Sequence, residues 1–181
     1  MEKDIEVLFE QSAICDKDTR FQAYEQLIVM TDHPVDWAYE VWDELVERLV
    51  HSDPHQRSRA AQYLAGLAKS DPENRMLNDF PKLWNVTYDE KTVTARHSLQ
   101  AIWKVGLAGP LQREWIIQHF TERFAACESE KHPTMIRGDL LKGLRKLYDA
   151  SGDEQLCETA HKLIESIEDA KYHKKYTAIW K

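Results

Sequence analysis

The chain has 181 residues, of which 43% are hydrophobic and 30% charged, with a formal net charge of −7. That length buries roughly 70% of its unfolded surface around one core without staples, and the acidic balance argues against indiscriminate nucleic-acid binding. In the opening MEKDIEVLFEQS, acids interrupt the apolar residues, so neither a signal peptide nor a membrane span of about 20 apolar residues is expected there.

Apolar residues recur three and four apart almost throughout, no period-two alternation is sustained, and six Gly and six Pro leave few turns for a β fold. The expectation is an all-α, single-domain chain over 1–181. In chain order the predicted helices are 4–14, 18–31, 35–51, 54–69, 73–87, 90–106, 111–127, 133–149 and 154–170. Asp53-Pro54, Gly109-Pro110 and His132-Pro133 place proline at a first helical position, where its missing N–H costs nothing. Pro81 falls inside an apolar run, so a kink, or a restart capped by Asp79, is expected there.

Charge is unevenly spread: residues 1–90 carry 9 Lys/Arg against 19 Asp/Glu, and residues 91–181 carry 15 against 12. Cys15, Cys127 and Cys157 are odd in number and form no CxxC pair. This predicts reduced thiols packed as small apolar groups in a cytoplasm.

The stretch SDPHQRSRAAQYLAGLAKSD places Arg57 in line with Ala60, Leu64 and Leu67. The same offsets recur as Arg20, Ala23, Leu27, Met30, then Arg96, Leu99, Trp103, Gly106, then Arg137, Leu140, Leu144, Leu147, with the arginines 37, 39 and 41 residues apart. Offsets of 3, 7 and 10 share one helix face, so each unit offers its neighbour a seam that it cannot bury alone. A period near 40 accommodates two helices and two turns. Such a unit, with DP opening its second helix and an arginine in the first turn before AAQYLAGL, resembles the HEAT repeat family, most closely over Asp53–Leu67 and Ala95–Gly106. The resemblance implies a right-handed α-solenoid of about four helix pairs plus a terminal helix. It also implies that Arg20, Arg57, Arg96 and Arg137 are structural, each paired with an aspartate such as Asp16, Asp53 or Asp89.

In that family the second helix of each pair lines a concave surface where partners bind. Counted from each arginine, the face away from the seam holds Gln22, Glu25 and Asp32, then Arg59, Gln62 and Lys69, then His97, Ser98 and Lys104, then Lys142, Arg145 and Lys146. A concave basic strip of Arg59, Lys104, Lys142, Arg145 and Lys146 would attract an acidic peptide or protein. The rival is nucleic acid, because a related group of alkylpurine DNA glycosylases uses such a groove with tryptophans around an aspartate. Here Trp103 falls on the seam, Trp37, Trp42, Trp84 and Trp115 fall on outer helices, and only Asp139 is a candidate aspartate. The expectation is therefore a scaffold that is not an enzyme.

No phosphate-binding loop or nucleophile elbow is present, and no cofactor is expected. Cys157, Glu158, His161 and Glu165 share roughly one helix face. One helix rarely supplies a whole zinc site, so no metal is expected either. The tail AKYHKKYTAIWK interleaves lysines with Tyr172, Tyr176 and Trp180, whose spacing is that of a helix covering the last seam.

Overall fold

The computed structural model describes residues 3–14 and 16–181; Cys15 lies outside the described residues. Ten α-helices and no strand are found among the described residues. The chain divides into two compact units, residues 1–98 and 99–181.

The N-terminal unit contains α1 (Lys3–Gln11), α2 (Lys17–Thr31), α3 (Ala38–Arg48), α4 (Pro54–Leu67), α5 (Met76–Asn85) and the first part of α6 (Thr92–Ala101). Helix starts follow the local chemistry. Asp16 accepts the Thr19 N–H at 2.8 Å and Asp53 accepts the His55 N–H at 2.9 Å, each satisfying a donor that the first turn leaves open. Around α4 the packing is densest, for Ala60–Ala68 are nine consecutive buried residues. A helix buried on nearly every side needs small residues, and Gly66 lies so close to α2 that a Cβ there would meet the Thr31 side chain at 2.7 Å and its carbonyl at 2.9 Å. Phe9 meets Trp37 and Tyr63 edge-on at 6.0 and 5.7 Å, and Trp42 is fully buried with its Nε1 donating to Asp79 at 3.0 Å.

At α5 the expected restart is not found. The helix runs without a break from Met76 to Asn85 with Pro81 inside it. Asp79 binds Trp42 instead of capping, and Asp71 caps α5 by accepting the Arg75 and Met76 N–H groups at 2.8 Å each. Pro81 and Leu77, the residue four positions before it, are both exposed; on a solvent-facing side, water substitutes for the donor that proline lacks.

The C-terminal unit contains the end of α6, a 3₁₀ segment Ile102–Leu107, α7 (Pro110–Ala126), α8 (Pro133–Ser151), α9 (Glu154–Glu165) and α10 (Ala170–Thr177). Helix α8 stops at Gly152, whose φ of 66° is readily accessible only without a side chain, and its N–H returns to the Tyr148 carbonyl at 2.8 Å. The helix expected over 154–170 ends at Glu165, and the tail forms a helix of its own, as its spacing predicts. Asp169 accepts the Lys171 and Tyr172 N–H groups at 2.8 and 3.1 Å and starts α10 afresh. The turn lays the tail on α8 and α9. Tyr176 is fully buried, its hydroxyl donating to the Thr134 carbonyl at 2.9 Å, and Trp180 Nε1 donates to the Leu141 carbonyl at 3.3 Å.

The seam leucines are inside: Leu27, Leu64, Leu99 and Leu144 are each at most 2% exposed. Hydrogen bonds between helices join residues 37 to 39 positions apart, as Lys69 to the Asp32 carbonyl and Tyr24 to Gln62 in one unit, and Gln100 to Asp139 in the other.

Candidate anion-binding site

A pocket of about 230 Å³ in the N-terminal unit is lined by Lys17, Arg20, Phe21 and Tyr24 of α2, His55, Ser58, Arg59 and Gln62 of α4, and His97 of α6. The two sets of four have the same spacing, offsets 0, 3, 4 and 7 along their helices, which places each set on a single face. They are related by a shift of 38 residues. One hydrogen bond fixes that register: Tyr24 Oη donates to Gln62 Oε1 at 2.8 Å, while Gln62 Nε2 donates to the Ser58 carbonyl at 3.1 Å.

Five basic side chains line this pocket and no carboxylate does. The Arg59 guanidinium donates to the Ser12 carbonyl, a neutral acceptor that fixes its direction and leaves its charge in place. Burial pushes Arg59 below its ordinary range, and the positive charge of Arg20 pushes the same way against the opposing effects of Tyr63, Asp53 and Tyr24. Arg20 in turn reaches the Ile14 carbonyl at 3.3 Å. Burial raises the Tyr24 hydroxyl above its usual value against the opposing effects of its Gln62 bond and of Arg59, so it remains a neutral donor at physiological pH. Gathered cations with mutual repulsion in a partly enclosed space form a site that an anion relieves.

Of the basic strip read from the sequence, Arg59 lies in this pocket, whereas Lys104, Lys142, Arg145 and Lys146 belong to the C-terminal unit. There Lys142 is exposed, Arg145 pairs with Asp149 at 2.8 Å and lies over the Trp180 ring, Lys146 Nζ stands 5.9 Å from the Trp103 ring centre, and Lys104 is half-buried. Gln62 and Ser98, expected to face outward, are buried, because their helices are covered on more sides than a single seam.

The four repeat arginines do different things. Arg57 forms a two-pronged ion pair with Asp89, at 2.5 and 2.9 Å, and caps the Ser52 and His51 carbonyls. Arg137 pairs with Glu128 at 2.8 Å and donates to the Phe124 carbonyl. Arg20 lines the pocket and Arg96 is exposed.

Asp139 is buried and accepts from Gln100 Nε2 at 3.0 Å. Among the described residues no group of three His, Cys, Asp or Glu side chains is placed to hold a metal ion, Cys157, Glu158, His161 and Glu165 included. Cys127 and Cys157 are free thiols, the first buried and pushed above its usual pKa by that burial. No helix among the described residues is long and apolar enough to cross a membrane.

A larger pocket of about 670 Å³ in the C-terminal unit mixes two cations, Arg137 and Lys162, with three carboxylates, Glu128, Glu168 and Asp169, so it gathers no cluster of cations.

No protein-family model matches the chain, and no curated protein matches it. The sequence pattern does not point to Lys17, Phe21, Tyr24 or Ser58. The signal was available as two identical spacings 38 residues apart, but anchoring the repeat on Arg20 and Arg57 sets the register at 37 and turns α2 by one residue.

Proposed function

We propose that this chain is a non-catalytic protein-interaction module, a short α-solenoid of HEAT-like helix pairs working in the cytoplasm without a cofactor, and that it captures an acidic segment of a partner protein. The observation that carries the reading is the pocket of Lys17, Arg20, His55, Arg59 and His97, free of lining carboxylates. The repeat reading draws support from the buried seam leucines and from hydrogen bonds spaced about one repeat apart. Free Cys127 and Cys157 suit a reducing compartment.

The mechanism is complementarity. A rigid surface whose cations are already positioned spends little ordering entropy on binding, and charge speeds encounter with an acidic segment. Fluorescence anisotropy with a labelled Glu-rich peptide tests it. Binding should be lost in Lys17→Glu, an exposed position at the start of α2. Tighter binding of duplex DNA, falling linearly in log salt, or release of a base from alkylated duplex, replaces this reading with the DNA-repair one.

A further inference from the structure

We propose that the pocket of the N-terminal unit receives a phosphomonoester, so that phosphorylation of a serine or threonine on the partner segment switches its capture on. This rests on the reading of the pocket as an acidic-segment site and names the acid.

The first ground is charge stoichiometry. Lys17, Arg20 and Arg59 are permanent cations, and His55 and His97 add two imidazoles within the same 230 Å³. One carboxylate brings a single charge into this cluster. A phosphomonoester brings −1.5 to −2 at neutral pH and three strong acceptor oxygens, which matches guanidinium forks better.

The second ground is donor geometry. Arg59 is held by a carbonyl, Ser12, so its orientation is fixed without an anion. Ser58 Oγ accepts from Gln62 Nε2 at 3.2 Å, leaving its own hydrogen to donate. The Asp53 carboxylate already takes the His55 N–H at the start of α4. The recognition therefore falls to side chains and not to the helix terminus.

The third ground is an apolar neighbour. Phe21, 55% exposed and 6.3 Å from the Tyr24 ring centre, offers an apolar contact to the residue beside the phosphate.

The experiment uses the full chain and three labelled peptide pools with degenerate flanks, alike except for a central phosphoserine, glutamate or serine. The phosphoserine pool should bind at least about 10-fold more tightly than the glutamate pool. Lys17→Ala and Arg59→Gln should each remove most of that preference. Because Arg59 also holds Ser12, the exposed Lys17 supplies the variant whose fold is not at issue, checked by an unchanged helical circular-dichroism spectrum. Equal affinity for phosphoserine and glutamate pools overturns this inference and leaves the acidic-segment reading standing. Absence of binding to all three pools overturns both. Displacement of the phosphoserine pool by a single-stranded oligonucleotide at equal phosphate concentration overturns it in favour of nucleic acid.

Discussion

Replacing Asp89 by asparagine asks how much Arg57 holds the N-terminal unit together. The Arg57 and Asp89 side chains are only 14% and 6% exposed, and two hydrogen bonds join them at 2.5 and 2.9 Å. Asparagine keeps an oxygen for the Lys91 N–H, which Asp89 caps at 2.9 Å. It must, however, turn an NH2 toward one prong of the guanidinium, setting donor against donor. Hydrogen bonds to charged groups contribute about 1.5–3 kcal/mol each, and desolvation of the pair offsets part of that, so the expected loss is about 2–4 kcal/mol. At about 2–4 °C per kcal/mol for a chain of this size, Tm falls by about 4–16 °C.

The same pair predicts a pH dependence. Burial opposes ionisation of Asp89, but the Arg57 hydrogen bonds, the Lys91 N–H bond and the charges of Arg57 and Lys91 together outweigh it and hold the carboxyl below its ordinary 3.8. A carboxyl with a depressed folded pKa contributes fully above its unfolded pKa and loses that contribution as pH falls through the folded value. The gap between native and Asp89→Asn chains, followed by urea titration with tryptophan fluorescence, should be widest near pH 7 and shrink below pH 4. A Tm within 1 °C of the native chain at pH 7, or a gap unchanged at pH 3, refutes the reasoning. An Arg57→Met, Asp89→Asn double-mutant cycle then isolates the coupling from the carbonyls that Arg57 also caps.

Gly66→Ala should destabilise despite a helix-propensity gain of about 1 kcal/mol, because the added Cβ meets the Thr31 side chain and backbone; the net loss by urea titration is about 1–2 kcal/mol. Leu64→Ala, at a seam position 1% exposed, should cost about 2–5 kcal/mol in the same assay. Tyr176→Phe removes the hydroxyl bound to the Thr134 carbonyl and should lower stability by about 1 kcal/mol without changing helix content by circular dichroism.

Helix periodicity, proline positions and capping aspartates are local properties, and they located most helices of this chain directly from its residues. Asp53-Pro54 starts α4 as read, and the leucines at fixed offsets from four arginines are buried. Such features are legible because a helix face repeats every 3.6 residues whatever surrounds it. Tertiary structure decided how many sides of each helix are covered: α4 is enclosed nearly all round, which buries Gln62 against the expectation of a free face. It also decided where the tail turns, since Asp169 could cap a new helix only if Tyr176 had somewhere to go.

The candidate site shows the limit most clearly. Residues 1–90 are acidic in sum, yet Lys17, Arg20, His55 and Arg59 converge on one pocket there, while Asp89 is spent on Arg57 and Asp71 on capping α5. Net charge adds residues without regard to direction, whereas a binding surface depends on which side chains are already engaged. That accounting needs the partners of each charge, and partners 32 to 47 residues apart, such as Asp89 for Arg57 and Ser12 for Arg59, are fixed only when the helices pack.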